Sequence, residues 1–98
     1  MSQRPTMKLI PQNKYPKKIH VGCEVYKILF VKMKDYGETD SGTRTIKIKK
    51  GLSPRETLRT FIHEMIHCAE FEFDIPLKHK VVYKLEEALF NMLFDNFL

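Results

Sequence analysis

The chain changes its hydrophobic period at one short segment, GLSPRETL at residues 51–58, and this change limits the fold more than any other feature. Ser53 is a preferred N-cap residue, Pro54 follows at the first helical position, and Glu56 stands three residues after the cap. Together they form a capping box that opens a helix. The residues before this box are rich in β-branched and aromatic side chains, so the sequence predicts a sheet followed by helices.

The first half contains strand patterns after an irregular start. Residues 1–18 include three prolines and no sustained period, and we expect an irregular N-terminal arm. From residue 18, KIHVGCEVYKILFVKMK indicates two strands separated by a turn at Gly22 and Cys23, the second over about 24–32. Residues 34–43 have turn composition, and residues 44–49 alternate apolar and basic side chains. The predicted sheet is small, three-stranded and mainly antiparallel.

The second half contains two helical patterns. After the capping box, an apolar stripe is expected to pack on the sheet: Leu58, Phe61, Ile62, Met65, Ile66 and Ala69. Cys68 is expected to be a small core residue. A second helix is predicted from about Leu77 to Phe97, with the stripe Val82, Leu85, Leu89, Met92 and Leu93. The sequence therefore predicts one α+β domain over residues 19–98.

Composition excludes several classes of protein. Ninety-eight residues, 43% apolar and 30% charged, suffice for one small domain without a second catalytic domain. The two cysteines are too few for a disulfide framework, and no stretch resembles a cleaved signal peptide or a membrane span, so we expect a cytoplasmic protein. Residues 1–50 hold 12 Lys/Arg against 4 Asp/Glu, whereas residues 51–98 hold 5 against 8. The basic half can attract nucleic acid or an acidic peptide, or form a solvated sheet face.

The sequence HEMIH at residues 63–67 places two histidines four residues apart on the first predicted helix. His63 and His67 therefore lie one above the other, and Glu64 follows the first of them directly. At 100° per residue, both histidines fall opposite the apolar stripe. Because only a short turn precedes the second helix, that helix must fold back near them. The histidine pair can thus bind a divalent cation together with a residue of the second helix.

A catalytic zinc ion needs three protein ligands and one open position. Glu86 is the preferred third ligand, because it lies among apolar residues of the second helix, where a carboxylate is costly unless a cation binds it. Glu87, with Asn91 as a partner four residues later, and His79 are alternatives, each with a competing interpretation as a solvent-exposed residue. Tyr83 is a candidate oxyanion stabiliser, with packing or solvent exposure as its plainer interpretation.

These features resemble the zincin metallopeptidases of the gluzincin class: HEMIH on a capped helix after a small sheet, and a glutamate 19 residues beyond the second histidine. At this length the chain is most similar to the compact members called minigluzincins and to short HExxH proteins of phages and prokaryotes. The resemblance covers about residues 19–97. The longer HExxHxxGxxH motif is absent, since Glu70 and Phe73 occupy its glycine and third histidine positions.

The resemblance implies a minimal zincin-like fold and residue roles within it. His63, His67 and Glu86 would bind Zn²⁺, and Glu64 would act as general base in peptide-bond hydrolysis. It also implies that an extended peptide or protein substrate pairs with an edge strand of the sheet, and the strands at 24–32 and 44–49 are both candidates. The peptidase is expected to be either active, or latent until a partner binds or the N-terminal arm is displaced.

Two other interpretations remain open. The basic first half can serve as a nucleic-acid or protein interaction module that contains a non-catalytic metal site. Alternatively, the chain is an inactive scaffold that pairs with another protein through Phe90, Phe94 and Phe97 of its second helix. We expect a monomer or a weak dimer.

Overall fold

A computed structural model describes residues 9–97. Four strands and two helices follow one another along the chain: β1 (Lys18–Val21), β2 (Glu24–Val31), β3 (Gly37–Asp40), β4 (Thr45–Lys49), α1 (Pro54–Glu72) and α2 (His79–Phe97). Residues 1–8 of the predicted arm lie outside the described residues. The rest of the arm is irregular apart from a 3-10 turn at Gln12–Lys14. The α+β class is confirmed.

The sheet differs from the predicted three antiparallel strands. It has four strands in the order β1-β2-β4-β3, and β2 runs parallel to β4 while both outer pairs are antiparallel. The additional strand, β3, has the sequence GETD and lies within the segment predicted to be a turn. Its sequence has no apolar alternation because its inward neighbours are polar side chains of α1, so hydrophobic periodicity could not reveal it.

Neither strand predicted as a substrate-binding edge is at an edge. β2 and β4 are the two central strands, and the edges are β1 and β3. β4 has hydrogen-bonding partners on both sides and cannot accept an additional peptide strand, whereas β2 pairs with β1 through residues 24–27 and with β4 through residues 27–31. Of the two edges, β3 passes beside the middle of α1, where the hydroxyl of Thr39 lies 2.8 Å from a carboxylate oxygen of Glu64.

Helix α1 is the middle layer of the domain, with buried side chains on both sides. We call one group the sheet-side cluster: Tyr26, Ile28, Ile46, Ile48, Phe61 and Cys68. We call the other the helix-side cluster: Ile62, Ile66, Val82 and Phe90. The predicted burial of Cys68 is confirmed, whereas Met65 of the predicted stripe is 42% exposed. Helix α1 is therefore fixed from two directions, and only its remaining face is open to form a site.

Helix α2 packs with only part of the predicted face, because Val82 and Leu93 join the helix-side cluster and the other three residues of the stripe do not. Val82 is fully buried, but Leu85, Leu89 and Met92 are 38%, 40% and 60% exposed. Apolar residues occur around most of this helix, so their spacing does not select one buried face. Phe90 is buried and stacks on Phe94 with ring centroids 5.6 Å apart. Phe90 and Phe94, which were considered for pairing with another protein, thus pack within the domain. The side chain of Phe97, the third such residue, lies outside the described part.

Both ends of α1 have local causes. The Ser53 side chain accepts a 3.2 Å hydrogen bond from the backbone N–H of Glu56, which confirms the predicted cap. At the other end, Asp74 adopts a left-handed conformation with φ of 52°, and the N–H of Ile75 donates to the carbonyl of Glu70. This arrangement ends the helix and returns the chain toward α1. Among residues 9–97, no helix has the length and hydrophobicity needed to cross a membrane.

Candidate metal centre

The two histidines of HEMIH face each other at the surface between β3 and α2. The Nε2 atoms of His63 and His67 lie 3.2 Å apart, and the ring centroids are 4.8 Å apart. Both rings line an open cavity of about 760 Å³ between α1, α2 and the β3 edge. The i, i+4 spacing on a regular helix accounts for this placement. The prediction that these side chains share one face is therefore consistent with the structure.

Each imidazole is held on its opposite side by a carboxylate. Nδ1 of His63 lies 2.7 Å from a carboxylate oxygen of Glu86, and Nδ1 of His67 lies 2.7 Å from one of Glu70. Because an ionised carboxylate only accepts hydrogen bonds, both Nδ1 atoms carry hydrogens. In the neutral rings, both Nε2 atoms then present lone pairs to each other. This arrangement is repulsive unless a proton or cation lies between them.

The histidine pair fits a zinc ion. Two nitrogens bound to one tetrahedral zinc at ordinary bond lengths are about 3.3–3.4 Å apart, close to the observed 3.2 Å. Zinc-binding histidines also commonly donate their second ring N–H to a carboxylate, as His63 and His67 do here. Among residues 9–97, however, no three histidine, cysteine or acidic side chains converge closely enough to hold an ion. Two candidate ligands are in place, and a zinc site would need a third side chain to move closer to them.

Glu86 reaches the site, but it contacts Nδ1 of His63. A third metal ligand would instead lie beside the two Nε2 atoms. One carboxylate oxygen of Glu86 contacts Nδ1 of His63, and the other accepts a 2.9 Å hydrogen bond from Nε of Arg59. In this arrangement Glu86 orients His63. To bind a metal held by the two Nε2 atoms, its carboxylate would have to leave both partners. Glu86 as third ligand stays a prediction.

Glu64 lies on the sheet side of the histidines. Its side chain is buried, and Oε1 accepts a 2.8 Å hydrogen bond from the hydroxyl of Thr39. Burial raises the pKa of Glu64 above the ordinary value of a glutamate, while the bond from Thr39 and the charges of the nearby histidines oppose this rise. A Cβ added at Gly37 would lie 2.9 Å from Oε2, so β3 can approach this carboxylate closely only because residue 37 is glycine.

Of the three other residues that the sequence suggested for the site, two line the cavity and one does not. His79 and Tyr83 line the cavity; the ring of His79 lies 5.7 Å from that of His67, and the ring of Tyr83 lies 5.0 Å from that of His63. Glu87 is exposed and does not line the cavity. Tyr83 therefore lies beside the histidine pair, whereas Glu87 has the exposed position of its plainer interpretation.

Three residues that contact the side chains of this site were not predicted from the sequence. Glu70 had entered only as a mismatch to a longer motif, yet it is an i+3 neighbour of His67, a spacing at which side chains meet on a helix. Arg59 and Thr39 gave no local signal, because one pairs with Glu86 across 27 residues and the other with Glu64 across 25. Only the fold brings these pairs together.

The described part of the N-terminal arm lies away from the cavity. The side-chain amide of Gln12 donates to the carbonyl of Lys49 and to the hydroxyl of Thr57, and its oxygen accepts from the N–H of Gly51. No residue of segment 9–17 lines the cavity. This segment therefore fastens the junction between β4 and α1 and does not block the site.

Comparison with known proteins gives no relative for this chain. No protein-family model matches it, and neither the curated proteins nor the solved structures contain a significant match.

Proposed function

We propose that the protein is a zinc-dependent metallopeptidase in which His63 and His67 bind the metal and Glu64 is the general base. The observation that supports this most strongly is the 3.2 Å separation of the two Nε2 atoms, with a carboxylate at each opposite Nδ1. Bound zinc lowers the pKa of a water ligand toward neutrality and polarises the carbonyl of the scissile bond. A third ligand from α2 completes the site.

Glu64 has the position and environment that a general base requires. Its carboxylate lies one residue after a metal-binding histidine and faces the same cavity. Burial raises its pKa toward the neutral range, in which a carboxylate can both accept and return a proton. The hydroxyl of Thr39 holds Oε1. Glu64 takes a proton from the attacking water and delivers it to the leaving amine of the peptide.

The β3 edge is the place where we expect a substrate to bind. Residues Gly37–Asp40 pair with β4 on one side only, and residues 35–39 line the cavity. An extended peptide can pair with the free side of such a strand, so that backbone hydrogen bonds supply affinity without deep side-chain pockets. This mode suits a domain with little cleft wall.

The test combines metal analysis with cleavage of an unstructured protein substrate. We expect one zinc per chain, hydrolysis that a chelator removes and zinc restores, and loss of hydrolysis with retention of zinc in Glu64→Gln. Glu87→Gln, on the exposed side of α2, is the matched control and should behave as wild type. Hydrolysis that persists in Glu64→Gln, or a wild-type protein that binds no zinc, would contradict the proposal.

A basic binding surface is a second candidate. Lys18 and Lys27 are exposed and directly opposite each other on β1 and β2, and Lys47 is exposed on β4. Like charges in directly opposed positions repel, so an anionic partner would relieve this pair. A steep loss of DNA affinity with added salt, reduced in Lys18→Gln/Lys27→Gln, would favour this function. No measurable DNA affinity at low salt would exclude it.

A further inference from the structure

His79 is placed to supply a third imidazole to the metal centre. It is the first residue of α2, and its ring centroid lies 5.7 Å from that of His67 and 5.9 Å from that of Tyr83. Its ring lines the same cavity as the other two histidines. Two imidazoles bound to one tetrahedral zinc have ring centroids about 5 Å apart, when ordinary zinc–nitrogen bond lengths are used. The observed separation is longer than this, so the exposed side chain of His79 must turn toward the pair to bind the same ion.

The loop before α2 is held by the same residue that orients His67. One carboxylate oxygen of Glu70 contacts Nδ1 of His67, and the other accepts a hydrogen bond from the backbone N–H of Leu77. Leu77 stands two residues before His79. Glu70 therefore fixes the entry of α2 relative to His67, which keeps His79 near the metal centre even though its side chain is exposed.

Two of the carboxylates that line the cavity, Glu86 and Glu64, have other partners. Both oxygens of Glu86 are engaged, one by Nδ1 of His63 and the other by Arg59. Glu64 is held by Thr39 on the sheet side and is needed as the base. A neutral imidazole also binds zinc without the cost of breaking an ion pair. His79 is thus a cavity-lining donor beside His67 whose binding to a metal would leave the observed contacts of Glu86 and Glu64 in place.

We propose that His79, rather than Glu86, is the third zinc ligand, and that Glu86 is a positioning residue that orients His63. The inference rests on the proposed zinc site but does not require peptidase activity. The proposed site then consists of three histidines. Glu86 contacts Nδ1 of His63, and Glu70 contacts Nδ1 of His67.

The decisive measurement counts the imidazoles that bind zinc. In protein labelled with ¹⁵N-histidine, one equivalent of zinc should change the ring-nitrogen signals of three of the four histidines, leaving His20 on β1 unchanged as an internal control. A change in only His63 and His67 would overturn the inference while leaving the zinc site intact. No tight binding of one equivalent would instead contradict the proposed function itself.

Three variants separate the two candidate ligands. His79→Ala should leave two zinc-bound imidazoles and weaken zinc binding, whereas His20→Ala should change neither. Glu86→Gln should keep three zinc-bound imidazoles and lose about 10- to 100-fold in affinity, the usual effect of changing a group behind a ligand. If Glu86→Gln removes zinc and His79→Ala binds it as wild type does, Glu86 is the ligand and the inference is wrong.

Discussion

The two sides of helix α1 hold the candidate catalytic groups in different ways. On the sheet side, Glu64 is buried against β3, and nearby Cys68 is fully buried in the sheet-side cluster. On the α2 side, His63 and His67 are partly exposed and are oriented by charged partners. The proposed base therefore has a position fixed by packing and one hydrogen bond, while the proposed metal ligands have positions fixed by polar contacts. The first can change only if the core changes, and the second can adjust when a metal binds.

The largest expected difference is between the alkylation rates of the two cysteine thiols. Cys68 is fully buried, and burial raises its pKa to about 12, while Cys23 is exposed in the β1–β2 turn. At pH 8 we expect Cys23 to react with an alkylating reagent at least about 10³-fold faster, because the Cys68 thiolate is scarce and reachable only after opening. Mass spectrometry of alkylated protein measures both rates. Comparable rates would mean that the sheet-side cluster is not firmly packed.

The raised pKa of Cys68 also makes the stability of the fold depend on pH. The folded state prefers the neutral thiol, so this contribution to stability is fully present below pH of about 9, the ordinary value. It is lost as the pH rises toward the folded-state pKa of about 12, because the unfolded chain releases the proton first. Unfolding by urea at pH 8 and pH 10 measures this loss, and Cys68→Ala should reduce the difference between them.

Core truncation should separate the sheet-side cluster from the outer face of α2. Ile48→Ala removes a fully buried side chain and should lower the free energy of unfolding by about 2–5 kcal/mol. Leu85→Ala, at an exposed position of α2, should cost less than about 1 kcal/mol. Urea denaturation compares them. A large cost for Leu85→Ala that depends on protein concentration would show that the outer face of α2 is covered in a dimer.

Replacing a carboxylate that contacts Nδ1 of a histidine should affect metal binding more than folding. Glu70→Gln weakens the acceptor for Nδ1 of His67 and should reduce zinc affinity by about 10- to 100-fold. Titration with a zinc-chelating indicator measures this. Glu72→Gln is the control, because Glu72 lies on the same turn but bonds to Tyr26 in the core. Equal losses in both variants would mean that the effect comes from the helix end rather than from His67.

An effect of similar size is expected from the hydroxyl of Thr39, which holds the proposed base Glu64. Thr39→Val leaves the buried carboxylate of Glu64 without its donor and should destabilise the protein by about 1–3 kcal/mol. Because this hydrogen bond lowers the pKa of Glu64, its loss should raise that pKa further. Carbon-detected NMR titration follows the carboxyl group, with Thr43→Val in the exposed β3–β4 turn as control. An unchanged Glu64 pKa would contradict the assigned role of Thr39.

The predictable part of the fold consists of its local features. Ser53 and Glu56 located the start of α1, and Gly22 and Cys23 located the turn between β1 and β2. Strand β3 was missed because GETD has no hydrophobic alternation. The packed face of α2 was only partly right, with Val82 and Leu93 packed and Leu85, Leu89 and Met92 exposed, because that helix has apolar residues on several sides. Both errors have one cause: the pattern that identifies an element depends on what the element packs against.

For the candidate site, the sequence alone determined the relation among His63, Glu64 and His67, because their spacing within one turn of helix fixes their relative directions. Tertiary structure decided which ring nitrogens face each other, that Glu86 contacts Nδ1 of His63, and that β3 covers Glu64. The physical reason is distance along the chain. Contacts between residues more than 20 positions apart depend on how α2 and β3 pack on α1, and no local pattern records that packing.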